Sequence, residues 1–177
     1  MLLGMRVFLA APYSQLVSPI TGRVIGEWRE RIESMRQDLI ERGAMVFSAH
    51  HNEQWGLELL PPEECTPSDF HAMRLADVVC AVVGSPPSGG VNVELGWASA
   101  MSKPILIILS TKGDHSPIVS GLGTIARVAY LNEPGQWDVN FRAGVADSLE
   151  SLCHSLPPRS FESVSDAGYV GSRQGHL

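Results

Sequence analysis

Apolar positions along the chain fall into two alternating kinds of block. Short unbroken runs at Met5–Ala11, Ala44–Ser48, Val78–Val83 and Ile105–Leu109 have the length and character of strands covered on both faces, and Arg127–Leu131 reads as a fifth. Between them the period changes. From Gly26 to Arg42, Trp28, Ile32, Met35, Leu39 and Ile40 recur at helical spacing, with Glu27, Glu30 and Glu33 early and Gly43 just past the end. Helices are also predicted from about Val91 to Ser102 and from Phe141 to Leu156, and Ser68 is placed to cap a shorter one running from Asp69 through Ala76. The stretch from His50 to Thr66 carries Pro61-Pro62 and no clean period, so it reads as a long loop. Asp114 to Thr124 reads as a loop with a short helix.

Strands that alternate with helices throughout imply a parallel sheet with right-handed crossovers and helices on both faces. The fold class is therefore α/β: a single doubly wound, flavodoxin-like domain with a five-stranded parallel sheet, over residues 1–156. The Ser- and Gly-rich tail at 157–177 is expected to add little core. A length of 177 residues fits one domain, and 44% hydrophobic against 18% charged residues excludes a disordered chain or a coiled coil. With 13 Lys and Arg against 19 Asp and Glu, the formal net charge is −6, so the basic footprint of a nucleic-acid binder is absent and an anionic ligand would need local donors. The longest apolar run is far shorter than a membrane span, and the N-terminal apolar stretch has no basic region before it, so it reads as a first strand rather than a signal peptide. Cys65, Cys80 and Cys153 are odd in number and lack metal-type spacing, which points to reduced thiols and a cytoplasmic setting.

In a doubly wound sheet ligands bind beyond the carboxyl ends of the strands, and these ends deliver Ala11-Pro12-Tyr13-Ser14, Ser48 to Trp55, and Gly84 to Gly90. Ser88-Gly89-Gly90 runs straight into a helix, so its backbone amides and the positive helix end offer a seat for a phosphate without any lysine. The same residues also fit an ordinary strand-to-helix turn. Glu94 lies about one turn into that helix, in the otherwise apolar stretch around Leu95-Gly96-Trp97-Ala98; as a site residue it is costly to bury, and as a surface or dipole-compensating glutamate it is not.

VFLAAPYS at 7–14, ADVVCAVVG at 76–84 and PSGGVNVELGWASAMSKPILIIL at 87–109 resemble the nucleoside 2-deoxyribosyltransferase superfamily, and the resemblance spans roughly residues 5 to 125. Within it the chain is most similar to the nucleoside 5′-monophosphate N-glycosidases, in particular the CMP and hydroxymethyl-CMP hydrolases of pyrimidine-nucleoside antibiotic biosynthesis. AAPYSQLVSPITG at 10–22 and SAHHNEQWG at 48–56 are similar to the corresponding loops of those hydrolases. The transferases commonly carry an aspartate six residues before the nucleophilic glutamate, where this chain has Ser88.

The resemblance implies hydrolysis of the N-glycosidic bond of a pyrimidine nucleoside 5′-monophosphate, CMP foremost, to free base and sugar 5-phosphate. Glu94 would attack C1′ and form a glycosyl-enzyme that water resolves. Asp69 matches the acid that assists the departing base, and Tyr13 would orient Glu94 or the sugar hydroxyls. Ser88 and Gly90 would hold the phosphate, Ser120 would reach the phosphate of a neighbouring subunit in a homodimer or larger assembly, and Pro12 and Ser14 belong to the loop that helps choose the base. Without the resemblance, Asp69 fits equally a helix N-terminal aspartate and Tyr13 a loop aromatic packed on the core. His50, His51, Glu53 and Trp55 either meet a pyrimidine or form a loop packed on itself, the plainer reading being preferred. No cofactor and no metal is implied. Two other functions remain open on sequence alone: base exchange on deoxynucleosides, and a non-catalytic nucleotide-binding module.

Overall fold

The first strand, β1 (Arg6–Ala10), pairs on one side with β2 (Met45–Phe47) and on the other with β3 (Val78–Val83). β4 (Ile105–Ser110) and β5 (Val128–Glu133) extend the sheet, so the order is β2-β1-β3-β4-β5 and every pairing is parallel. This computed structural model describes residues 1–13, 16–84, 87–111 and 115–154. The expectations for Ser14 and for the tail after Pro157 lie outside the described residues.

Parallel pairing needs crossovers, and the helices supply them: α1 (Gly26–Glu41), α2 (Ala49–Asn52), α3 (Pro62–Leu75), α4 (Gly89–Ala100), α5 (Pro117–Ser120) and α6 (Val139–His154). The side-chain period of two then sorts each strand between two layers. Val78, Cys80 and Val82 of β3 join Ile32, Met35 and Leu39 of α1 and Val145 and Leu149 of α6, whereas Val79, Ala81 and Val83 join Met73 of α3 and Val91, Leu95 and Ala98 of α4. Each such aliphatic side chain contributes about 1.5–3 kcal/mol on burial. That accounts for the unbroken apolar runs: both strand faces are inside.

Two expectations change. The stretch after His50 is not one long loop: it contains α2, a 3₁₀ turn at Gln54–Gly56 and the first half of α3. Pro61-Pro62 begins the helix instead of breaking the chain, because a proline in the first turn forfeits only an N–H that has no helical partner, and Glu63 and Glu64 suit the positive helix end. Ser68 therefore lies inside α3 and caps nothing; Pro61 occupies the capping position. The far end of α3 is fixed by Lys103, whose Nζ donates to the carbonyls of Arg74 (2.8 Å) and Ala76 (2.7 Å). Among the described residues no helix is long and apolar enough to cross a membrane.

Crossovers on opposite sides of β1 and β3 leave a crevice at the carboxyl ends of these two central strands. Ala11 to Tyr13 leave β1 there, and α4 begins there, with Ser88 at its N-cap.

Candidate active site

The crevice is a cleft of about 250 Å³. Tyr13 comes from the end of β1, His50 and Glu53 from the α2 segment, Asp69 from α3, and Ser88, Gly90 and Glu94 from the start of α4. Leu9, Leu59, Leu60 and Val91 form apolar walls, and Cys65 of α3 lies at the same opening.

Asp69 stands seven residues into α3 and Glu94 five residues into α4, beyond the first turn where free backbone N–H groups favour a carboxylate. Dipole compensation therefore does not explain either residue. Phe70 meets Trp97 edge-on, with ring centroids 5.2 Å apart, and this contact presses α3 against α4 beside the two acids. Burial, and after it the neighbouring Glu53 carboxylate, pushes the Asp69 carboxyl up from 3.8 to about 6. Burial, and after it the charge of Asp69, pushes Glu94 from 4.5 to about 8. Two acids desolvated together and repelling one another hold a proton between them at neutral pH. Such a pair can supply an acid and a nucleophile at once.

Ser88 is buried at the N-cap of α4, where its Oγ accepts from the Val91 N–H at a long 3.5 Å. Because the hydroxyl oxygen acts as acceptor in that contact, its O–H proton is left to point at a ligand. Gly90 follows in the first turn, and a Cβ there would come 3.7 Å from Ser88 Oγ.

The opposite wall is aromatic. The Tyr13 and His50 rings lie 4.8 Å apart, with Trp55 6.0 Å beyond His50. His50 Nε2 bonds the Pro12 carbonyl at 2.9 Å, and burial holds the imidazole below its ordinary pKa, so the ring is neutral and its Nε2–H is the donor. Pro12 thus fixes the wall through its carbonyl and does not itself line the cleft. The Tyr13 hydroxyl is buried and faces Glu53 closely enough for the two to interact, while falling short of hydrogen-bond geometry; burial and that carboxylate both raise the phenol's pKa.

Glu53 is the functional candidate that pattern reading undervalued. It is 8% exposed, and burial raises its pKa, with Tyr13 opposing the rise. Its place is set by a turn in which Gln54, Trp55 and Gly56 all have positive φ (48°, 59° and 96°). Only the glycine in that run is visible as a turn signal, and a Cβ on it would lie 2.7 Å from the Gly22 carbonyl oxygen. His51, by contrast, turns outward to Glu33 at 3.6 Å, and Trp55 packs behind His50 without lining the cleft. Ser120 ends α5, exposed and outside this chain's own cleft.

A second cavity of about 330 Å³, bounded by Trp28, Arg31, Ser110 and Glu133, is larger, but its cation Arg31 and its carboxylate Glu133 already pair at 3.5 Å. Among the described residues no group of three or more His, Cys, Asp or Glu side chains is placed to hold a metal ion.

No protein-family model and no curated protein matches the chain. Solved structures do. The solution structure of BlsM is 36% identical, with 84% of this chain covering 91% of that one at a TM-score of 0.72. The chain belongs to the nucleoside 2-deoxyribosyltransferase-like superfamily. A second superfamily structure, the CMP N-glycosidase BcmB of Clostridium botulinum, is 29% identical over 82% of this chain and 98% of its own, at a TM-score of 0.56. A 2-deoxyribosyltransferase from Leishmania mexicana, 17% identical over 86% and 99% of the two chains at a TM-score of 0.50, shares the fold alone.

Proposed function

We propose that the protein hydrolyses the N-glycosidic bond of a pyrimidine nucleoside 5′-monophosphate, with CMP as the leading substrate. The observation that carries this reading is the pairing of Asp69 and Glu94, from separate helices, in one cleft whose burial raises both carboxyls to about 6 and about 8. The likeness to a CMP N-glycosidase supports the substrate class.

In the first step the Glu94 carboxylate attacks C1′ of the sugar. The C1′–N bond breaks, its electron pair leaves with the base, and Asp69 gives the base its proton. The shared proton favours Glu94 in the empty cleft; positive charge developing at C1′ favours the ionised Glu94 and leaves the proton on Asp69. In the second step water attacks C1′, passes its proton to Asp69, and releases Glu94 together with sugar 5-phosphate. No cofactor enters either step. Tyr13 orients the sugar from the aromatic wall.

Ser88 and the amides around Gly90 hold the 5′-phosphate at the positive end of α4. Ser120 completes the phosphate site of a second copy, a reading supported by its exposure beside Ile118 and Ile125, each 80% exposed. A homodimer is the smallest assembly that satisfies this.

The test is incubation with CMP, dCMP, UMP and AMP, following base release by chromatography. Release of cytosine and ribose 5-phosphate from CMP is expected; nucleotides that all stay intact would refute the proposal. Exchange of added free base on unphosphorylated deoxynucleosides would instead identify a deoxyribosyltransferase. Tight nucleotide binding that is unchanged in Glu94→Ala, without turnover in either protein, would identify a binding module.

A further inference from the structure

Glu53 has no part in the two steps just described, yet it is a buried residue, 8% exposed, that lines the cleft beside Tyr13. Among the described residues no cation pairs with it, and the Tyr13 hydroxyl is the polar group that faces it. A carboxylate withdrawn from water without a counter-charge loses hydration, a loss that a hydrogen-bond donor on a ligand can offset. The left-handed turn at Gln54–Gly56 holds it there against backbone strain, as is common where a site dictates geometry.

The three acids also have an order along the cleft. Glu53 acts electrostatically on Asp69, and Asp69 on Glu94, while Ser88 begins the helix that carries Glu94. A nucleoside monophosphate has the same sequence of parts. With phosphate at Ser88, C1′ at Glu94 and the glycosidic nitrogen at Asp69, the outer edge of the base falls at Glu53. His50 cannot serve that edge through Nε2, which is bonded to the Pro12 carbonyl. The ionised groups around the base position are therefore acceptors.

We infer that Glu53 reads the base: its carboxylate accepts a hydrogen bond from the exocyclic amine of an aminopyrimidine and so selects a cytosine-type base over the keto counterpart. Uracil would place a carbonyl oxygen against a carboxylate oxygen, two desolvated acceptors with no proton between them. This inference rests on the proposed nucleotide site.

Calorimetric titration of the Glu94→Gln protein, which binds without turnover, with CMP, UMP and ribose 5-phosphate tests it. CMP should bind roughly 10- to 100-fold more tightly than UMP. Adding Glu53→Gln, whose amide can donate to O4 or accept from the amine, should bring that ratio to within about threefold while ribose 5-phosphate affinity holds. An unchanged CMP:UMP ratio, or a ribose 5-phosphate affinity that falls in step with CMP, overturns the role of Glu53 and leaves the nucleotide site standing. No binding of any of the three overturns both. Should Glu53→Gln give no cooperative melt, Glu53→Asp replaces it: a ratio reduced by about threefold or more supports the inference, and an unchanged ratio refutes it.

Discussion

Removing the Glu94 charge should make the protein more stable while abolishing its turnover, and the two effects can be measured on one variant. In the unfolded chain a glutamate releases its proton near 4.5, whereas burial and Asp69 hold Glu94 protonated up to about 8 in the fold. Between those values the folded state binds the extra proton, so stability falls as pH rises; the penalty is absent below about 4.5 and complete above about 8. At pH 7 the interval spans about 2.5 pH units, which at about 1.4 kcal/mol per unit is an upper value near 3.5 kcal/mol. One edge of the carboxyl meets the open cleft, so about 1–3 kcal/mol is the expected loss, or roughly 3–10 °C in Tm for a domain of this size. Glu94→Gln keeps the shape and removes the titration. Paired thermal melts of the two proteins should coincide near pH 4.5 and separate progressively toward pH 8, with the variant melting higher, while CMP hydrolysis disappears. A Tm difference that does not change with pH, or a variant that melts lower at pH 8, would show that Glu94 is not held under desolvation and repulsion.

Further outcomes follow from the same geometry. The kcat/KM for CMP should rise through a pH near 6 and fall through a pH near 8, since only the singly protonated Asp69–Glu94 pair has both nucleophile and acid; Asp69→Asn should lower the rate and erase the alkaline limb, leaving a single acid limb that follows the ionisation of Glu94. Ser88→Ala should raise KM for CMP by roughly one to two decades with a smaller change in kcat, because a charge-assisted hydrogen bond is worth about 1.5–3 kcal/mol, and inhibition by ribose 5-phosphate should weaken in parallel. Gly56→Ala should destabilise the fold by about 1–3 kcal/mol in chemical denaturation, since its positive φ and the 2.7 Å approach to Gly22 leave no room for a methyl group.

How far the fold can be read from sequence depends on where the deciding physics lies. β3 is legible because Val78–Val83 must satisfy two apolar layers at once, and that requirement is written in six consecutive residues. α3 begins earlier than expected because Pro61-Pro62 signals a break or a start equally well, and Pro67 inside the helix obscures its period. The acids on α3 and α4 stand out by chemistry and by resemblance. Glu53 does not, because what aims it is the left-handed turn after it and the Gly22 backbone some thirty residues away, neither of which leaves a local pattern. The corrected position of Asp69, well inside its helix, matters most: it removes the dipole explanation and leaves the cleft to account for the shifted acid.

The distribution of sulfur gives the molecule a built-in handle. Cys80 lies within the sheet and Cys153 is on the buried side of α6, whereas Cys65 alone of the three thiols stands partly open, at the rim of the cleft. A maleimide dye added to the native protein would therefore attach at a single address on the rim of the cleft, and its emission would report ligand binding there in real time without any engineered label.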